Sequence, residues 1–410
     1  LLGGIIRQGL GFSIGLQAVN GLSPLLLLPI SLPRLGPDAY GVYVHALVIS
    51  NMLAGVLVLG FFSHLSRLFL RETAEGQESP FARLVVFQCS LSLVATLLNL
   101  FIVLLFIETH QEVYLIATIS TLLSGFNVDW YYYSKLKIKV LFWRTLIARM
   151  LIIGLAAFLV VDSKDLLLFV GLVVLANSTG NMAALIWAWK TEKIVMYLPK
   201  LSDYLSARHF FGSSIIGSVQ QYADQIIVGA AFSMSELAHL SLCRQVLSAC
   251  AGFTQAICRV MMPLSIKNHR ECPSTFFPNV MLRARIFLIG VGGVAILIAC
   301  FGDPLLSALS KDRFEFGFLV MSICAVCFFI TSASIYIDTQ ISIPALKEYV
   351  TTHANILVAM TFLLGLIFTT TLQSFDYRFA LLSLFAAESI GVLAMVYFLH
   401  RLGIFKKVQI

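Results

Sequence analysis

Long apolar runs follow one another from end to end of this chain, separated by short polar turns. Twelve of them are long enough to cross a bilayer as helices: roughly 9–32, 40–62, 84–107, 113–133, 145–161, 166–189, 211–232, 238–262, 286–302, 317–337, 355–372 and 379–399. A hydrocarbon core about 30 Å thick is spanned by about 20 helical residues. Barrel strands would alternate polar and apolar at every second position, and these runs do not. The pattern predicts an all-α integral membrane protein with twelve transmembrane helices in two six-helix lobes. The lobes are 1–189 and 211–410. Between them, 190–210 reads as a basic, partly amphipathic cytoplasmic linker lying at the interface (Ile194, Val195, Tyr197, Leu198, Leu201, Tyr204, Leu205). The halves echo each other. Leu35 to Tyr43 opens span two and Met234 to Ser241 opens span eight, each an outer turn with an acid followed by a long helix. Two halves of like orientation predict a pseudo-two-fold along the membrane normal, with substrate bound between them.

Composition agrees. Only 12% of the 410 residues are charged and 59% are hydrophobic, too few charges to cover a soluble surface of this size. Of the 28 Lys and Arg, twenty fall in loops on one side and five on the other, while Arg149, Arg244 and Arg259 lie within spans. The richer side is cytoplasmic by the positive-inside rule, which puts both termini there. The formal charge of +7 is then a property of that face and implies no nucleic-acid partner. The apolar region Leu1 to Leu32 is too long for a signal peptide and shows no small-residue cleavage site. Cys324-x-x-Cys327 sits among Ile, Val and Phe, and reads as small hydrophobes in a packed helix rather than a metal or redox site.

The polar positions inside the spans carry the candidate chemistry. At 100° per residue, Ser241, Arg244, Ser248, Gly252, Gln255 and Arg259 share a wedge of roughly 80° on span eight. A guanidinium near mid-membrane costs at least about 2.5–3.5 kcal/mol, so this stripe predicts a water-filled or anion-binding surface. On span seven, Ser213, Gly217, Gln220, Gln221 and Asp224 fall within roughly 100°, with Gln225 just outside. On span one, Ser13, Gln17, Asn20 and Pro24 fall within about 60°. Pro24 removes the helical bond to the Asn20 carbonyl, which predicts a bend there. Three such stripes suit a pathway between lobes; amides and hydroxyls that merely bridge helices are the alternative.

Asp224 is placed to pair with Arg244. Arg259, near the cytoplasmic end, either receives a phosphate or snorkels to the interface, and Arg149 reads the same way. His64, Arg67 and Arg71 line one face at the inner end of span two, as a positive-inside anchor or a contact for lipid phosphate. Asp224 and Glu388 are the candidates for ion coupling, with helix pairing as the alternative for Glu388 and, similarly, for His45. Trp130 to Tyr133 read as an interfacial aromatic belt, with Asp129 a partner for Lys135. There is no Walker sequence and no Gly-x-Ser-x-Gly, so neither enzyme activity nor a cofactor or metal is expected.

Leu32-Pro33-Arg34-Leu35-Gly36-Pro37-Asp38-Ala39-Tyr40-Gly41-Val42-Tyr43, followed by an apolar helix ending Gly60-Phe61-Phe62-Ser63-His64-Leu65-Ser66-Arg67, resembles the first-repeat signature of Wzx-like polysaccharide (O-antigen) flippases. These belong to the multidrug/oligosaccharidyl-lipid/polysaccharide exporter superfamily. Tyr222 to Gly229, Met262-Pro263-Leu264-Ser265, and Trp130 with its basic loop resemble further family segments. His239, Ser241 and Gln225 depart from the pattern, where Gly, Tyr and Lys are usual. The resemblance implies an alternating-access flippase in the bacterial inner membrane. It would carry undecaprenyl-pyrophosphate-linked oligosaccharide to the periplasmic leaflet, coupled to a proton or sodium ion, with a polysaccharide polymerase as a partner. Arginines suit the pyrophosphate; Gln17, Asn20, Gln220, Gln221, Ser248 and Gln255 suit sugar hydroxyls. An ion-coupled exporter of small amphiphilic or cationic compounds is the alternative.

Overall fold

Each apolar run is helical in the computed structural model, which describes residues 2–74, 80–192, 198–271, 273–311, 314–371 and 376–402. In chain order the helices are α1 (Leu2–Leu57), α2 (Phe62–Ala74), α3 (Phe81–Phe106), α4 (Gln111–Leu123), α5 (Asp129–Ser134), α6 (Ile138–Leu159) and α7 (Leu166–Thr191). They continue with α8 (Leu201–Ala231), α9 (Met234–Glu271), α10 (Pro273–Ser310), α11 (Gly317–Ile337), α12 (Glu348–Thr371) and α13 (Tyr377–Arg401). No strand occurs among the described residues.

Nine described helical segments are long and apolar enough to cross a membrane, which makes this a multi-pass membrane protein. The first, Gly11–Leu57, runs to 47 residues. A straight helix of that length would reach roughly 70 Å, more than twice the hydrocarbon core. It is two helices joined at Gly36, whose φ of 79° and ψ of 171° suit a residue without Cβ. Torsions stay helical through Pro24, where a bend was expected, and leave the helical range only at Gly36. Expected span four is the 13-residue α4 followed by a short turn and α5; expected span seven is α8. Neither is among the nine.

Two compact units make up the chain. The first contains residues 1–229 and 233–238; the second contains 230–232 and 239–410. Where an interfacial linker was expected, α8 already begins at Leu201, its backbone start held by Lys200 N–H donating to Asp203 Oδ2 (2.9 Å). Ile194, Val195 and Tyr197 of that linker lie outside the described residues.

Small residues set the approach of α8 to α1 in the first unit. A Cβ at Gly41 would overlap the Met234 carbonyl oxygen, and one at Gly60 would overlap the Ser214 side chain. One at Gly55 would stand 2.8 Å from Ser218 Oγ, and one at Gly229 would strike the His45 ring. The pairs run in opposite chain directions, so the second half of α1 and α8 pack antiparallel through a glycine row. His45 is held in place from behind by Tyr114 (Nδ1 to Oη, 2.7 Å). Deeper in this unit, Asn99 Nδ2 donates to Ser50 Oγ (2.9 Å) and Thr121 Oγ1 (3.1 Å). Arg34 donates to the last carbonyls of α6, Ala156 (3.1 Å), Ala157 (2.8 Å) and Val160. A cation there satisfies orphan acceptors and meets the negative end of the helix dipole.

The basic end of the first unit is built differently from the sequence expectation. Trp130, Tyr131 and Tyr132 are each only 1% exposed and pack with Phe69 and Phe81, so they form a protein core rather than an interfacial belt. Trp130 Nε1 donates to Gln88 Oε1 (2.8 Å), and Gln88 Nε2 donates to the Asn127 carbonyl (2.8 Å). Asp129 pairs with Arg144 (2.7 Å) instead of Lys135, which pairs with Glu192 (3.3 Å).

In the second unit, His239 is enclosed by Phe314 (centroids 4.6 Å apart), Phe316 (5.4 Å) and a stacked Tyr377 (5.2 Å). Toward the other end, Gln340 joins helices: its Nε2 donates to the Cys258 carbonyl (2.7 Å) and its Oε1 accepts from Ser265 (2.6 Å). It sits in a π-helical turn, Asp338–Ser342, which widens the backbone after α11.

Candidate functional site

The span-eight stripe lies on α9. Ser241 is buried, Arg244 and Gln255 are half-buried, and Ser248 and Arg259 are exposed. The side chain of Gln245, one residue past Arg244, donates to Ser241 Oγ (3.3 Å) and so ties down the start of the stripe. Arg244 and Arg259 are fifteen residues apart, about 22 Å along the axis. They are therefore two stations and cannot hold one phosphate together.

Inside the second unit, the structure brings Arg244 together with Glu388 of α13. Glu388 is half-buried and lies within electrostatic reach of Arg244, with Thr331 of α11 close by. Cys327, also on α11, lies within electrostatic reach of both charges, and the neighbouring Cys324 lies beside Cys243 of α9. Three helices thus converge on one guanidinium and one carboxylate in an apolar surround. Nothing in the sequence linked Arg244 to Glu388. A faint signal existed: Glu388 is the one charged residue in its apolar run, and Arg244 is one of two arginines in its own.

Asp224 is fully buried on α8 in the first unit, its Oδ1 accepting from the Gln225 backbone N–H (2.9 Å). Gln225 is buried, Gln220 is half-buried and Gln221 is exposed; the side chain of Ser213 lies outside the described residues. The pairing expected between Asp224 and Arg244 joins residues of different units and stays a proposal. On α1, Gln17 is half-buried and Asn20 exposed. Arg149 is half-buried on α6, facing Tyr43.

At the basic end, His64 is buried on α2 and faces Asp203 at the start of α8, while Arg67 is exposed. Burial pushes the His64 imidazole below its ordinary 6.5, against the pull of Asp203. Asp203 also meets Arg83 (3.7 Å), which itself holds Glu72. His64 thus forms part of an internal latch joining α2, α3 and α8.

No protein-family model matches the chain, and no curated protein is similar to it in sequence. Solved structures are similar in fold. An inward-facing multidrug resistance MATE family transporter of the MOP superfamily aligns with a TM-score of 0.69 at 11% identity, over 95% of this chain and 96% of that one. The lipid II flippase MurJ in an inward closed conformation aligns at 0.70 and 12% identity, over 98% and 89%. The chain shares the fold of these two transporters. A MOP-superfamily transporter from Pyrococcus furiosus, described as having a binding pocket of reverse polarity, aligns at 0.62 and 10% identity, over 99% and 97%. This one fold is therefore found with a multidrug resistance transporter, a lipid II flippase and a binding pocket of reverse polarity, and substrate has to be argued from the residues.

Proposed function

We propose that this protein is an alternating-access flippase of the bacterial inner membrane. It carries undecaprenyl-pyrophosphate-linked oligosaccharide from the cytoplasmic to the periplasmic leaflet, using twelve helices in two lobes, 1–189 and 211–410, with both termini inside. The observation that carries this reading is Arg244: a guanidinium on an apolar helix, with the carboxylate of Glu388 within its electrostatic reach. A pyrophosphate competes with Glu388 for that guanidinium. The carboxylate so released takes up a proton or sodium ion, which couples ion and substrate through one shared cation. Asp224 is the second candidate for coupling and for pairing Arg244 at rest. Arg259 and Ser248, both exposed, continue the path along α9, and Gln255, Gln17, Asn20, Gln220 and Gln221 meet sugar hydroxyls. Arg67 and Arg149 contact phosphate at the mouth, with His64 holding α2 behind them; a polymerase receives the product.

Arg244→Ala, at normal membrane abundance, should lower surface polysaccharide roughly tenfold to a hundredfold, the worth of a charged hydrogen bond. Normal polysaccharide would refute the role. Glu388 also favours a second reading, an ion-coupled exporter of small amphiphilic or cationic compounds, because a half-buried carboxylate can meet a cationic drug directly. Drug efflux from vesicles that lack any glycan pathway would establish that reading instead.

A further inference from the structure

A groove of about 650 Å³ opens on the second unit between α9, α10 and α11. Its walls are Ile257 and Met261 of α9, Ile286, Gly290 and Val294 of α10, and Phe328 of α11. At one end stands Arg283, whose Nη1 is buried and has no hydrogen-bond partner. Tyr336, within electrostatic reach of Arg283, donates its hydroxyl to the Val280 carbonyl (2.8 Å). Arg283 and Met261 mark the basic end, while Val294 and Cys250 mark the deep end, as antiparallel helices require. From Arg283 to Val294 is about 16 Å, half the hydrocarbon thickness. The groove therefore runs through one leaflet, from a cation at the headgroup level to the bilayer middle. A Cβ at Gly290 would meet nothing within 4 Å, so this glycine leaves the groove floor open.

An apolar channel one leaflet deep that ends on a guanidinium with an unpartnered nitrogen is complementary to a phosphate carrying a single hydrocarbon chain. A diacyl lipid would leave its second chain outside. We propose that this groove holds the isoprene units nearest the phosphate of a polyprenyl phosphate lipid, with that phosphate on Arg283 and the rest of the tail in the bilayer. It is a docking site for the lipid end of the substrate, separate from the Arg244 stripe and resting on the flippase reading for its occupant.

The test is retention of undecaprenyl phosphate by the full-length protein in phosphatidylcholine nanodiscs, with phosphatidylglycerol as competitor, read by native mass spectrometry. Gly290→Leu should plug the groove without a backbone clash, and Arg283→Gln should remove the anchor. Each should lower bound undecaprenyl phosphate about tenfold or more and leave phosphatidylglycerol unchanged. Parallel loss of phosphatidylglycerol would show a resident phospholipid and overturn the proposal. Unchanged retention in both variants, at wild-type melting temperature, would overturn it as well. Surface polysaccharide keeps the two readings apart. If polysaccharide is indifferent to the protein while Gly290→Leu still loses the lipid, the flippase reading fails and the groove stands. If polysaccharide requires the protein while lipid retention never changes, the groove fails and the flippase reading stands.

Discussion

Glycines do opposite things in two regions of this molecule. On α1, in the turn just after it and on α8, Gly41, Gly55, Gly60 and Gly229 stand where another chain segment occupies the space a Cβ would take. On α10, Gly290 and Gly293 face open space. The first set brings two backbones together; the second keeps a surface concave. A glycine inside a membrane helix is thus not one kind of signal, and only its neighbours decide which kind it is.

Alanine substitutions sharpen this contrast in order of size. Gly41→Ala should destabilise most, by about 3 kcal/mol, because a carbonyl at the start of α9 cannot rotate aside. Tryptophan-fluorescence melting in detergent would read it, and an unchanged midpoint would break the row as described. Gly229→Ala should follow at about 2 kcal/mol, since Tyr114 prevents the His45 ring from withdrawing. Gly55→Ala should cost under about 1 kcal/mol, because the Ser218 hydroxyl can turn away. Gly290→Ala should change sign and raise stability by about 0.5–1 kcal/mol, as alanine is the better helix former where nothing is crowded. The smallest effect concerns pH at the end of the row. The folded pKa of His64 lies below 6.5, so the unfolded chain binds its proton first as pH falls. Stability from this group is complete above about pH 6.5 and is lost below it. His64→Gln should flatten the difference in melting point between about pH 5 and pH 7.5; an unaltered difference would place it elsewhere.

Much of the helix plan was legible because membrane helices announce themselves by hydrophobic length, a property of consecutive residues. Arg244 was legible too, since a charge in an apolar run has to be accommodated by something. What accommodates it within its unit was not, because α9 and α13 are joined only by packing. The Trp130 cluster was misread for a related reason. Aromatic rings suit both a headgroup boundary and a packed interior, and only the satisfied indole at Gln88 tells the second from the first. The glycine row escaped notice because its partners are distant in sequence and each stretch alone looks like ordinary small-residue scatter. Asp129 chose Arg144 over the nearer Lys135 since Arg144 offers two donors to both carboxylate oxygens (2.7 and 3.4 Å).

The glycine row also bears on how the protein is made. Helices enter the bilayer in the order of synthesis, yet α8 completes the unit begun by α1 to α7. A ribosome that has delivered residues 1–189 has inserted a body whose seam is still unfilled, lined with bare backbone and awaiting a strip that emerges later. Two separately translated pieces, divided near residue 195, therefore carry matching seams by which to find each other.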